Sequence, residues 1–256
     1  MIFFFSGTGN TQWAARELAE ATGERLIFIP DVKDGECDFS LNDDERIGFC
    51  FPVHGWRPPV LVRQFIKKIN IVNSNTHYCY TLCTAGDTIG EAIDLFQQDL
   101  SEIGLRADSA FSLIMPESYV GLPFMDVDKP EKEKEKKLEA AKNIKEIEQY
   151  IVNRDKGIFK LSRGNWPRIN SRIIGKYFLN HLITDNPFHV ASERCVKCGI
   201  CADVCPVNDI IGGLGHEPQW KHDNSCLTCF TCYHHCPHHA IEYGKQTKNK
   251  GQYFYK

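Results

Sequence analysis

Residues 2–11 read IFFFSGTGNT, a four-residue apolar run followed by a loop of hydroxyls and glycines and then the first positions of an amphipathic stretch. An apolar run this short suits a strand buried on both faces of a parallel sheet. In the loop that follows, glycine lets the backbone turn sharply, hydroxyls offer donors, and the first N–H groups of the next helix favour an anion. The loop lacks the lysine of G-x-x-x-x-G-K-[ST] and does not spell G-x-G-x-x-G, so a single phosphate is expected rather than a triphosphate or a dinucleotide.

Working outward, short apolar runs alternate with amphipathic stretches through the first 150 residues or so. The pattern predicts strands near Ile2–Phe5, Leu26–Pro30, Ile47–Phe51, His77–Cys83 and Ser109–Met115. Helices are expected near Thr11–Ala21, Pro58–Ile69, Gly90–Ile103 and Glu131–Asn153. The charged run Lys129–Lys137 reads as the solvated start of the last helix, because Leu138, Ala141, Ile144, Ile147 and Ile151 continue at helical spacing. The resulting fold class is α/β, a doubly wound five-stranded parallel sheet whose ligand site lies at the carboxyl ends of the strands. A small α+β module follows it. The expected division is 1–153 for the first domain, 154–186 for a helical connector and 187–256 for the second domain. In the connector, Ile169, Ile173, Tyr177 and Phe178 form an apolar stripe expected to pack between the domains, while Arg163, Arg168, Arg172 and Lys176 read as solvated charges.

Eight of the twelve cysteines lie between Cys195 and Cys236, in two runs spelling C-x2-C-x2-C-x3-C-P. The first is Cys195, Cys198, Cys201 and Cys205 before Pro206; the second is Cys226, Cys229, Cys232 and Cys236 before Pro237. Three closely spaced thiolates wrap one iron–sulfur cube, and the fourth cysteine reaches the other cube. One cluster is thus expected on Cys195, Cys198, Cys201 and Cys236, the other on Cys226, Cys229, Cys232 and Cys205. Structural zinc also accepts four thiolates, but it requires neither the third cysteine nor the proline. Cys37, Cys50, Cys79 and Cys83 read as core residues. Gly212, Gly213 and Gly215 read as loop glycines, and no role is assigned to His216, His222, His234, His235, His238 or His239.

Over residues 187–244 the chain resembles bacterial-type two-[4Fe-4S] ferredoxins. Ser6-Gly7-Thr8-Gly9-Asn10-Thr11 resembles the FMN phosphate loop of flavodoxins, with Ser6 where threonine is common. That resemblance implies Ser6, Thr8, Gly9, Asn10 and Thr11 as phosphate contacts. It also implies that Pro52, Val53, His54, Gly55 and Trp56, and Thr84, Ala85, Gly86 and Asp87, surround the isoalloxazine ring. Trp56 is expected to stack on the ring or, alternatively, to pack between domains, and Gly55 to turn its carbonyl toward the flavin N5. The second loop has no aromatic residue, so the other ring face falls to Tyr119 or to the ferredoxin-like domain. As a whole the chain resembles the flavodoxin–ferredoxin fusion proteins of anaerobes.

The resemblance implies an electron carrier with two [4Fe-4S] clusters and FMN, working with redox partner proteins as a monomer or homodimer. The alternative is an FMN-dependent reductase that passes electrons from its own clusters to a small substrate held near Tyr119 and Phe124. A third reading, a regulatory module with an empty cradle, conflicts with the retained hydroxyl-rich loop. No catalytic acid–base or nucleophile set stands out. A net charge of -3 gives no basic field for nucleic acid. No apolar stretch approaches the roughly eighteen residues that cross a bilayer, so a cytoplasmic protein without membrane insertion is expected.

Overall fold

The computed structural model describes residues 1–256. Its strands are β1 (Ile2–Phe4), β2 (Leu26–Phe28), β3 (Asp38–Ser40), β4 (Ile47–Pro52), β5 (Asn70–Val72), β6 (Cys79–Ala85), β7 (Ser109–Ile114) and β8 (Phe159–Lys160) in the first part of the chain. The helices among them are α1 (Asn10–Thr22), α2 (Ile29–Val32), α3 (Val60–Ile66), α4 (Ala92–Glu102) and α5 (Pro130–Asn153).

Six strands form one parallel sheet in the order β2-β1-β4-β6-β7-β8. Setting aside the small β3–β5 pair beside it, the first five strands follow the order 2-1-3-4-5 of flavodoxin-like doubly wound sheets. The order reverses between β1 and β4, so the loops leaving these strands open side by side. Two details differ from the sequence expectation. Residues 29–32 turn into the short helix α2 instead of extending β2, and β8 adds a two-residue sixth strand from within the expected connector.

Alternation along the central strands divides the apolar residues between two cores. Phe3, Phe5, Phe49 and Phe51 face α3 and α4, where they meet Phe65 and Phe96. Phe3 stacks on Phe49 with centroids 5.5 Å apart, and Phe51 meets Phe96 at 4.6 Å. On the opposite face Ile2, Phe4 and Cys50 meet Leu18 of α1 and Ile144, Ile147 and Ile151 of α5. Helix α1 stops at Gly23, whose positive φ of 73° lets its N–H reach the Ala19 carbonyl. Cys37, Cys50, Cys79 and Cys83 are buried, and burial pushes the thiols of the last three upward.

The connector helix runs through α6 (Pro167–Ile169), a π-helical turn (Asn170–Ile174) and α7 (Gly175–His181). The remaining elements are β9 (Phe188–Val190), α8 (Ile200–Asp203), β10 (Ile210–Gly213), β11 (His216–Trp220), α9 (Thr231–His234) and β12 (Ile241–Tyr243). β12 pairs antiparallel with β9, and β10 with β11 as a hairpin. The glycines expected in a loop therefore lie on and beside that hairpin. Phe188 stacks on Trp220 at 5.3 Å beneath them.

Two cysteine-lined cavities and an anion loop

Each cysteine run folds into a tight loop that ends in a one-turn helix, and the two runs repeat each other residue for residue. Lys197 and Gly199 in the first run, and Thr228 and Phe230 in the second, hold positive φ at matching positions. Asn208 and His239, each three residues beyond a run's last cysteine, do the same. Left-handed backbone at six such positions, five of them non-glycine, is costly and turns the chain sharply around the sulfurs. Backbone N–H groups are aimed at sulfur in the same repeating way. The Asp209 N–H donates to Cys205 Sγ at 3.3 Å, and the Ala240 N–H donates to Cys236 Sγ at 3.2 Å.

The eight cysteines line two cavities. Cys195, Cys198, Cys201 and Cys236 line one. Cys205, Cys226, Cys229 and Cys232 line the second. Each run sends its fourth cysteine to the cavity lined by the other run. No three Cys, His, Asp or Glu side chains converge closely enough to share one metal ion; the sulfurs stand around a volume instead. Burial pushes the Cys201 thiol up to about 11 and raises those of Cys226, Cys229 and Cys232. Burial disfavours the bare thiolates of these four cysteines, and a cationic iron core would supply the compensating charge.

The second cavity adjoins the anion loop. A Cβ on Gly7 would lie 3.1 Å from Thr231 Oγ1 and 3.2 Å from Cys229 Cβ, tighter than most side-chain contacts, so the two loops approach closely at this glycine. Leu227, between Cys226 and Cys229, is a member of the Phe3–Phe49–Phe65 core. The cysteine loop is thus part of the packing of the α/β domain. Residues 251–256 brace the same junction. The Tyr255 N–H donates to the Thr8 carbonyl at 2.8 Å, the Tyr253 hydroxyl donates to Asn10 Oδ1 at 2.6 Å, and Gln252 Nε2 donates to the Cys236 carbonyl at 2.9 Å.

Within the loop, the side chains hold its shape. Ser6 Oγ accepts from the Gly9 N–H at 3.2 Å, Thr8 Oγ1 donates to Ser118 Oγ at 3.1 Å, and the Thr11 and Thr84 hydroxyls meet at 2.7 Å. The free donors are backbone groups. The N–H groups of Thr8, Asn10 and Thr11 have no protein acceptor, although all three residues are buried. Orphaned buried N–H groups at a helix start are rare and fit an anionic ligand.

The loops expected around the ring are packed against the chain itself. The Trp56 indole donates from Nε1 to Thr88 Oγ1 at 3.1 Å, and its backbone carbonyl accepts from Ser171 Oγ at 2.8 Å. Gly55, at φ 56°, lies under Phe178: a Cβ there would come within 2.7 Å of that ring. Its carbonyl is met by Gly175 of the connector. Pro52 and Thr84 pair across β4 and β6, and the Val53 N–H donates to the Thr84 carbonyl at 2.9 Å. Ala85 closes β6, while Asp87 lies one residue beyond Gly86, whose carbonyl accepts from Lys136 Nζ at 2.6 Å. Glu117, with its carboxyl pushed upward by burial, fills the space beside Gly86. Tyr119 packs edge-on against Phe178 at 5.4 Å and Phe230 at 5.3 Å. The phosphate end of FMN therefore fits the residues present; on the ring side, Phe178 covers Gly55 and Tyr119 packs against Phe178. Sequence reading missed Glu117, Ser171 and Tyr253, because each acts through a contact distant in sequence, whereas Phe178 packs inward as its place in the connector's apolar stripe predicted.

His54 packs edge-on to Phe5 at 6.1 Å, and burial pushes its imidazole down to about 4. The unfolded state binds this proton more readily, so stability should fall as pH drops from about 6.5 toward about 4. Replacing His54 with Gln should lessen that pH dependence, as denaturant midpoints measured across the window will show.

Residues 189–237 match the 4Fe-4S dicluster domain family. The chain joins a flavodoxin-like α/β domain to a ferredoxin-like 4Fe-4S domain. No curated protein matches it. Among solved structures, it is similar to a protein of Bacteroides uniformis described as a flavoprotein, at 19% identity and a TM-score of 0.34, over 44% of this chain and 88% of that one. It is also similar to the rubredoxin:oxygen oxidoreductase of Desulfovibrio gigas, at 15% identity and a TM-score of 0.33, over 59% of this chain and 36% of that one. A Streptococcus pneumoniae flavodoxin is similar at 15% identity and a TM-score of 0.31, over 57% of this chain and 97% of that one. Scores this low add nothing to the fold assignment, which rests on strand order and direction. No helix is long and apolar enough to cross a membrane.

Proposed function

We propose that this chain is an electron-transfer protein with two [4Fe-4S] clusters and FMN, exchanging electrons with redox partner proteins. The first cluster is held by Cys195, Cys198, Cys201 and Cys236, and the second by Cys205, Cys226, Cys229 and Cys232. The observation that carries this reading is the contact of Gly7, in the anion loop, with Cys229 and Thr231 at the second cavity. It makes the second cluster the one nearest the flavodoxin-like site, and the first the outer member of the relay. FMN, when bound, supplies conversion between one-electron and two-electron transfer. Ser6, Thr8, Gly9, Asn10 and Thr11 hold its phosphate, chiefly through the backbone donors of Thr8, Asn10 and Thr11.

Protein prepared without oxygen and analysed for iron, acid-labile sulfide, zinc and extractable flavin tests the reading. Iron and sulfide in equal amounts, about eight of each per chain, together with FMN, are the expected result. Zinc without sulfide would overturn the cluster assignment. Full iron without flavin, with no FMN taken up when it is added to the reduced protein, would overturn the flavin assignment alone.

A further inference from the structure

The connector helix turns most of its apolar stripe toward solvent. Its buried contacts come from Ser171, Gly175 and Phe178. Of the apolar stripe, Phe178 turns inward, whereas Ile169, Ile173 and Tyr177 face solvent at 41%, 66% and 59% exposure, with Trp166 beside them at 71%. Beside it, Arg168, Arg172 and Lys176 follow one another at intervals of four residues, which places them in a row along the helix. Both arginines share the single carboxylate of Glu91, at 3.7 Å and 2.6 Å. Lys176 is exposed and forms no ion pair. The row is therefore net positive on a chain whose total charge is -3.

We propose that this face docks an acidic redox partner protein. An apolar centre edged by one sign of charge is the form of a transient protein interface, with charge guiding the encounter and apolar contact holding it. The position suits electron exchange. From the same helix Phe178 reaches Tyr119, which reaches Phe230 on the wall of the second cavity. A partner on the outer face is separated from that aromatic chain by one helix, about 10 Å across. An acidic protein surface is favoured over a bilayer because Glu91, and the Asp94 carboxylate held by Arg163, lie among the cations. The positive field is therefore confined to a narrow row that discrete carboxylates can match.

This inference rests on the proposed electron-transfer role, and the test separates the two. A purified acidic two-cluster ferredoxin, chemically reduced, is mixed with the full chain in a stopped-flow apparatus, with dithionite as a small-molecule reductant in parallel. Ile173→Ser/Tyr177→Ser and Arg168→Glu/Lys176→Glu variants alter only exposed side chains, so unchanged folding is expected by circular dichroism. Each should slow reduction by ferredoxin by about tenfold or more, and the wild-type rate should fall as salt is raised. Reduction by dithionite should be unchanged. Equal ferredoxin rates in wild type and variants would overturn the docking proposal while leaving the relay intact. Failure of the clusters to respond even to dithionite would overturn the relay itself. Docking to protein would also be overturned if the variants lost only binding to vesicles of equal phosphatidylglycerol and phosphatidylcholine, or lost only a dimer on size-exclusion chromatography.

Discussion

Replacing Cys236 with serine is expected to remove the first cluster, although Cys236 belongs to the second run. The cavity of Cys195, Cys198 and Cys201 is completed by Cys236, and that of Cys226, Cys229 and Cys232 by Cys205. Iron content should drop by about half in either the Cys236→Ser or the Cys205→Ser variant. The informative comparison is which cluster survives. Electron paramagnetic resonance of the reduced protein should give the same residual spectrum for Cys236→Ser as for Cys198→Ser. A second spectrum, shared by Cys205→Ser and Cys229→Ser, should differ from it. Grouping of Cys236→Ser with Cys229→Ser would mean that each run serves its own cluster and that the crossed assignment is wrong. Because the variants are compared in pairs, a general loss of stability cannot produce the expected grouping.

The second large effect is expected at Leu227, which lies in a cysteine loop yet is only 7% exposed within the core of the α/β domain. Leu227→Ala leaves a cavity between Phe-rich packing on one side and the second cluster site on the other. The cost should be about 2–5 kcal/mol. Guanidinium unfolding followed by far-ultraviolet circular dichroism and by cluster absorbance should show both signals shifting to lower denaturant together. Leu214→Ala, at a position 85% exposed, should leave the midpoint nearly unchanged and serves as the control. If Leu227→Ala moved the cluster signal alone, the loop would be packed on the sheet without contributing to its stability.

The features that could be read from the sequence are those encoded by local repetition. Alternating apolar runs such as Ile2–Phe5 and Ile47–Phe51 mark strands buried on both faces, and these pair as a flavodoxin-like sheet. The cysteine spacing corresponds to a dicluster family match over 189–237. The connector is helical as expected, but three of its four stripe residues, Ile169, Ile173 and Tyr177, face outward for a physical reason. Helical periodicity identifies an apolar stripe but not what lies opposite it, and here two glycines decide the contact. Gly175 meets the Gly55 carbonyl, and Gly90 meets Ser171, so the face with small residues approaches most closely and Ile169, Ile173 and Tyr177 are left outside. Trp56 was expected to stack on the ring or pack between domains; the structure anchors it to Thr88, a partner that no local pattern identifies. Tyr119 likewise takes its place from Phe178 and Phe230, residues 59 and 111 positions away in the chain. The bracing by Gln252, Tyr253 and Tyr255 carries no motif at all.

On the proposed reading, the two cluster sites and the anion loop form one redox unit, with the second cluster adjacent to the flavin phosphate. An anaerobic reductive titration of the FMN-loaded protein, followed by visible absorbance and electron paramagnetic resonance together, tests it most directly. Two cluster signals and a flavin response are expected, with the relaxation of the flavin radical signal quickened when the second cluster, identified as the signal that remains in the Cys198→Ser and Cys236→Ser variants, is reduced. A flavin signal indifferent to the state of both clusters, or clusters that titrate in a protein unable to retain flavin, would contradict it.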